Sequence, residues 1–376
     1  MRIGILTLPL ENNYGGNLQA YALQKVLCDL GHDALTINWH NNRKYASFRH
    51  HILGYCNRLM QRLIYHRNIS ICWNPFITAG DFKVISKNIQ PFINKHIRLT
   101  KHIWFEELED MDKEYQFDAY VVGSDQVWVH NYSFAAFLDF VKRDDVIKIA
   151  YAASSNENSW LKHQQLYNKC IELSKSFKGI SVRESFLRNE AEVILGKKVE
   201  LVLDPTFLLT PHDYLSLLDF SKIEQQSYVF SYILDDTPLK NEIINRIVVE
   251  KKIRIKSGMP QKKYVRKQKM NLSEYVFPSM EDWLQGIFNS DFVVTDSFHG
   301  MVFAIIFNKQ FVVIGNEERG IQRFYSLLDM FDLRNRLVSS IEDITEILSK
   351  TIEYDLINLK IESLRNYSLN FLRVNL

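Results

Sequence analysis

Short β-branched or aromatic runs recur along the chain, each stopping at a small, polar or charged residue. RIGILTL, ALTIN, DAYVVGSD, VIKIAYAASS, GISVRES and VELVLDPT fill the first part, and SYVFSYIL, KIRIK, DFVVTD and QFVVIG the second. Runs of this length fit buried strands, and helix-like segments separate many of them. A parallel neighbour can be reached only through a crossover, so this rhythm restricts the chain to an α/β architecture with parallel sheets. At 376 residues the chain exceeds what one hydrophobic core usually serves, and its 46% apolar composition is ample for two. The second series of strands begins after Pro205. The expected division is 1–208, then 209–345, then a helical tail over 346–376.

The first strand (Arg2 to Leu8) is followed by the loop PLENNYGGN, a helix LQAYALQKVLCDL ended by Gly31, and the strand ALTIN. That is a βαβ unit. Asn17 stands where an N-cap belongs, and Gly15 and Gly16 are expected to let backbone approach a ligand. The Gly-x-Gly-x-x-Gly pattern of dinucleotide sites is absent from this loop.

A net charge of +2 is too mild to argue for nucleic acid, and no nucleic-acid motif is present. Cys28, Cys56, Cys72 and Cys170 have scattered spacings, with no Cys-x-x-Cys pair and no nearby His cluster, so neither disulfides nor a metal is expected. The N-terminal apolar run is too short for a signal peptide, and no run approaches the roughly 18 apolar residues of a spanning helix. A cytoplasmic protein with reduced thiols is the expectation. Two stretches lack acids: Ala34 to Gly80, which runs into a basic helical insertion expected at about 40–105, and Lys251 to Lys269. A solvated basic face fits each. So does contact with an anionic membrane surface for the first and with an anionic acceptor for the second.

The stretch DFVVTDSFHGMVFAIIFNKQFVVIG sets Asp296, Ser297, His299 and Gly300 between a strand and a helix that is apolar on all sides. At the carboxyl end of a parallel strand such a turn opens on the ligand crevice, and the first-turn amides of the helix are anion donors. Asp296 is expected to fix the turn, Gly300 to admit ligand, and His299, with Ser297 beside it, to exchange a proton. A core histidine bonded to backbone is the alternative. GISVRES likewise delivers Arg183 and Glu184 to a strand end, where Arg183 either forks onto an anion or pairs with Glu184 or Asp204. VVGSDQVW places Ser124, Asp125 and Gln126 at another, for a sugar hydroxyl or the domain interface, with Asp125 as N-cap the alternative. Arg319 and Arg323, in IGNEERGIQRFYSLLDMF, either reach an anion in the crevice or lie solvated opposite Glu317 and Glu318.

The segments NYGGNLQAYALQ, GSDQVW, YAAS, SVRES, VLDPTFLL and VVTDSFHGMVFAIIF, in that order, resemble the polysaccharide pyruvyl transferase family. The resemblance implies two Rossmann-like domains facing a central cleft, as in GT-B glycosyltransferases, with the acceptor on the first domain and the donor on the second. It implies transfer of pyruvate from phosphoenolpyruvate, as co-substrate and without a cofactor, to glycan hydroxyls, commonly as a ketal, in surface polysaccharide synthesis. Lipid-linked acceptors, and peripheral contact with the inner face of the plasma membrane through the basic segments, go with that picture. His299 and Arg183 are then the catalytic pair. Asn17, Ser124, Asp125, Gln126, Glu184, Asp296, Ser297, Gly300, Arg319 and Arg323 are the expected binding residues. Some members carry an arginine two residues before the histidine where this chain has Ser297, which leaves Arg319 or Arg323 to supply that cation. A nucleotide-sugar GT-B glycosyltransferase shares the fold and would place carboxylates to read ribose. Glu317 and Glu318, being adjacent, would face different ways on a helix. A non-catalytic glycan-binding module is the third reading.

Overall fold

Residues 1–40, 60, 64, 79–129, 134–155, 164–219, 221, 226–262, 271–316 and 319–376 are described by a computed structural model. The strands in chain order are β1 (Arg2–Leu6), β2 (Asp33–Thr36), β3 (Trp39–His40), β4 (Ile103–Trp104), β5 (Ala119–Val122), β6 (Ile147–Ala153), β7 (Gly179–Val182) and β8 (Glu200–Leu201). They continue with β9 (Tyr228–Tyr232), β10 (Arg254–Ser257), β11 (Phe292–Thr295), β12 (Gln310–Ile314) and β13 (Leu337–Val338). Two wholly parallel sheets result, ordered β2-β1-β5-β6-β7-β8 and β10-β9-β11-β12-β13, with β3 and β4 forming a small parallel pair. Every residue of β5, β7, β9 and β11 is buried, which is why these runs do not alternate apolar with polar.

Each sheet reverses its strand order once, between β1 and β5 in the first and between β9 and β11 in the second. A crevice opens at such a reversal, beyond the carboxyl ends of the strands. The loops after β5 and β11 carry Ser124–Asp125 and Asp296–Ser297, and the helix that follows β1 opens with the Gly15–Gly16 pair. One apolar core runs through both halves. The helix Tyr14–Asp29 of the first domain and the helix Phe298–Ile306 of the second belong to the same buried cluster, along with Tyr228, Trp283 and Tyr214.

Asn13, not Asn17, caps the first helix: its side chain accepts from the Gly16 amide at 3.0 Å, so both glycines lie inside the first turn. The chain's last helix, Tyr354–Asn375, begins beside the second sheet and docks on the first. Gln310 and Ile352 exchange hydrogen bonds at its start. Further along, Arg365 Nε donates to Phe207 O (2.7 Å), and Ser368 Oγ accepts from the Leu203 amide (3.0 Å). Most of the expected basic insertion, and residues 263–270 of the second basic stretch, lie outside the described residues. Among the described residues no helix is long and apolar enough to cross a membrane.

Candidate active site

The turn after β11 is held from several sides. Thr295 Oγ1 donates to Tyr232 O and accepts from the Ser297 amide, and Ser297 caps the following helix, its hydroxyl accepting from Gly300 N at 3.4 Å. Asp296 is wholly buried and accepts from the amides of Leu234 (2.6 Å) and Asp235 (3.0 Å), from Lys240 Nζ (2.7 Å) and from Asn316 Nδ2 (3.2 Å). Its carboxylate fixes the turn, as expected, but four donors already occupy it. A Cβ at Gly300 would collide with Thr295 Oγ1, so this glycine serves helix-to-strand packing and not ligand entry.

Gly15 makes a comparable allowance across the domain interface: a Cβ there would overlap the His299 ring. The imidazole therefore lies on the bare first turn of the Tyr14–Asp29 helix, reaching from one domain to the other. Its Nε2 is buried without a hydrogen bond and stands 3.7 Å from Asp204 Oδ2, an ion-pair separation. Asn17, one turn on, donates to Glu11 O and faces Met280 of the second domain, and its Oδ1 has no hydrogen-bond partner.

Arg183 is not an open fork. Its Nε donates to Glu184 Oε1 (3.0 Å), Nη1 to Asp204 Oδ2 (2.6 Å) and Nη2 to Asp125 Oδ1 (3.1 Å), with its side chain 1% exposed. The pairing alternative is thus the structural outcome, enlarged to three carboxylates. Asp125 starts no helix. It sits at φ +70° in the loop after β5, where Arg183 holds it. Ser124 Oγ lies 2.8 Å from Ala152 O and 3.2 Å from Asp204 Oδ2, while Gln126, next in line, is half-buried.

The charges in this cluster shift one another. Burial alone would raise Asp125, but Arg183, then His299 and Arg323, outweigh it and hold the carboxyl below its ordinary range. Asp204 is also held below its ordinary range: burial is overcome by His299, Arg183 and the Thr206 hydroxyl. Glu184 moves the other way. Its burial outweighs Arg183 and the 2.7 Å bond from Ser154, so its pKa rises, and Oε2 has no partner.

The two late arginines part company. Arg319 forms a two-pronged pair with Asp235, which holds that carboxyl down at about 2. It is thereby spent on its own domain. Arg323 is buried, donates Nη2 to Arg319 O, and leaves Nε without a partner. Arg183 lies 4.4 Å and Arg323 5.8 Å from the centroid of the Phe298 ring, which meets His299 edge-on at 5.2 Å.

Three buried polar atoms in this neighbourhood, His299 Nε2, Arg323 Nε and Glu184 Oε2, thus lack hydrogen bonds. Buried polar groups are otherwise nearly always satisfied, and three together mark a place built for a polar ligand. Asp204 and Phe298 join this site without having stood among the expected site residues. The acid at the end of VELVLD was the available signal for Asp204, and adjacency to His299 for Phe298. Among the described residues no group of three His, Cys, Asp or Glu side chains is placed to hold a metal ion. Cys28 and Cys170 are free thiols; Cys56, Cys72, Glu317 and Glu318 lie outside the described residues.

The model of one protein family, polysaccharide pyruvyl transferase, matches residues 13–318. This chain belongs to that family. Its match takes in the Tyr14–Asp29 helix, the Arg183 cluster and the His299 turn, and stops short of Arg319 and Arg323. No curated protein sequence matches the chain. Among solved structures, the UDP-GlcNAc 2-epimerase of Neisseria meningitidis bound to UDP-GlcNAc superposes with a TM-score of 0.51 at 12% identity, over 100% of this chain and 99% of that one. The S. aureus MnaA–UDP complex does so with a TM-score of 0.51 at 11% identity, over 96% and 90%. At such identities the likeness is one of fold, and this pyruvyl transferase family member has the GT-B architecture of two Rossmann-like domains.

Proposed function

We propose that this pyruvyl transferase moves the pyruvyl group of phosphoenolpyruvate onto hydroxyls of a glycan sugar, forming a ketal, at the cleft between the two domains. The observation that carries the reading is His299 Nε2, buried without a hydrogen bond at a helix N-terminus, in a cluster that also holds the unpartnered Nε of Arg323 and the unpartnered Oε2 of Glu184. In the reaction the methylene carbon of the donor gains a proton, a sugar oxygen bonds to the adjacent carbon, and a second sugar oxygen replaces phosphate there. One hydroxyl proton ends on the new methyl group and the other on the departing phosphate. His299 is suited to pass these protons, with Asp204 Oδ2 3.7 Å from its Nε2. The first-turn amides of its helix favour an anion. Arg183, with three acids on it, acts by fixing Asp125, Glu184 and Asp204, and Asn17 Oδ1 is suited to accept from a sugar hydroxyl.

A glycan of the cell surface, assembled on a lipid at the inner face of the plasma membrane, is the acceptor class this reading favours. The acid-free stretches would meet the anionic carrier. The test is phosphate release from phosphoenolpyruvate with nitrophenyl and lipid-linked sugars. Acceptor-dependent release is expected, lowered about 10²- to 10⁴-fold in His299→Ala. Binding of a nucleotide sugar, with none of phosphoenolpyruvate, would replace this reading by glycosyl transfer.

A further inference from the structure

Arg323 is a buried cation with less compensation than its surroundings would supply if it were structural. It is 8% exposed, forms no ion pair among the described residues, and makes one hydrogen bond, to the Arg319 carbonyl. Its Nε makes none. The two carboxylates that act on it electrostatically, Asp125 and Glu184, are both bonded to Arg183. Burial first, and then repulsion from Arg183, lowers its pKa to about 10. An unpaired buried guanidinium is costly, and removing its charge normally relieves the fold. Keeping it there has a purpose when a counter-charge arrives with a ligand.

The position says which ligand. Arg323 shares the Phe298 ring with Arg183, one residue from His299, at the start of the Phe298–Ile306 helix. Ser297, on that turn, contributes only a hydroxyl already used as cap. Arg319 is held by Asp235. Lys240 is held by Asp296. We infer that Arg323, which lies beyond the stretch matched by the family model, is the side chain that receives the phosphate-bearing end of the donor in this chain. The inference rests on the pyruvyl-transfer reading for the donor's identity, and on the geometry alone for the anion site.

Inorganic phosphate is the probe, titrated calorimetrically into the full chain as wild type, as Arg323→Met and Arg323→Gln, and as the surface control Arg334→Ala. Wild type and control should bind phosphate alike, with the Arg323 variants weaker by about tenfold or more. Phosphate-free melting gives the second readout: an anchor waiting for its ligand predicts that Arg323→Met melts at the wild-type temperature or above it, whereas a structural arginine predicts a lower one. Wild-type phosphate affinity in either folded Arg323 variant overturns the inference, as does absence of saturable phosphate binding to the wild type. Arg323-dependent phosphate binding without turnover of phosphoenolpyruvate on any acceptor would leave the anion site standing and remove the pyruvyl donor.

Discussion

Arg183 looks in sequence like a hand held out to an anion, and in the structure it is full. Removing it leaves Asp125, Glu184 and Asp204 buried with no shared counter-charge, so Arg183→Ala is expected to lose about 3–5 kcal/mol of stability, read from denaturant midpoints at pH 7. Loss of activity in that variant would therefore report unfolding before chemistry. The pH dependence distinguishes the two. Asp125 and Asp204 have folded pKa values below the ordinary 3.8, so their stabilisation is present above that pH and disappears as pH falls through the lower folded values. Glu184 has the opposite sign: raised above 4.5, it opposes folding increasingly as pH climbs past that value. Without Arg183 all three acids protonate more readily. The gap between wild type and Arg183→Ala should accordingly be widest near neutrality and narrow toward pH 4.5, and a gap that stays constant would show that the arginine does not compensate these acids. Arg319 provides a milder case on the surface. Losing it frees Asp235, whose folded pKa of about 2 should return toward 3.8. The stability lost in Arg319→Ala should be full above about pH 4 and vanish as pH falls through about 2.

Two helices meet where Gly15 and His299 touch, and the contact leaves no room for a methyl group. Gly15→Ala should push the imidazole off the crevice and cut acceptor-dependent phosphate release by about 10²-fold with the fold retained, because small misplacements of a reacting group are expensive in rate. Gly16→Ala meets only the Asn13 side chain, at 3.0 Å, and should keep most activity. These helices also show what a sequence discloses. Strands such as AYVV and FVVT, and the all-apolar helix after His299, are legible because burial on every side leaves no polar residue in the run. The start of the first helix is not: two glycines disfavour helix by propensity and point to a loop, yet both lie in the first turn, Gly15 packed against His299 and Gly16 bonded to the Asn13 cap. The His299 turn was legible as a strand-to-helix junction, with Asp296 fixing it. The fate of Arg183 was open, because Asp125, Arg183 and Asp204 are brought together only by the adjacency of strand ends in the sheet order β5-β6-β7-β8. Arg319 and Arg323 are equivalent as letters on a helix-like stretch. Only the location of Asp235, after β9, separates the paired one from the unpaired one.

Domains that share a cleft are expected to move against each other unless the interface between them is large and apolar. Here the first helix of one domain is built into the core of the other. Tyr14 stacks on Trp283 at 5.1 Å between ring centres, meets Tyr232 edge-on at 5.8 Å, and donates its hydroxyl to Pro278 O at 2.8 Å. At the other side of the molecule the terminal helix ties Gln310, in the second sheet, to Phe207 and Leu203, in the first domain. A second strut comes from Ser185 and Ser326, joined across the interface at 3.2 Å. With one apolar cluster shared by both domains and these polar ties across the interface, the whole chain should unfold as a unit. Calorimetry of the wild type is expected to show a single transition, with calorimetric and van't Hoff enthalpies in agreement. Truncating Tyr14 to Ala removes a buried ring worth about 3–5 kcal/mol and leaves the Pro278 carbonyl without its donor. Because that ring belongs to the interface and to neither sheet alone, the loss should appear as uncoupling: two overlapping transitions, and a calorimetric enthalpy exceeding the van't Hoff value. A variant that merely melts earlier in one sharp step would mean that the terminal helix, and not the Tyr14 stack, holds the two sheets together, and deleting residues 354–376 should then be what divides the transition.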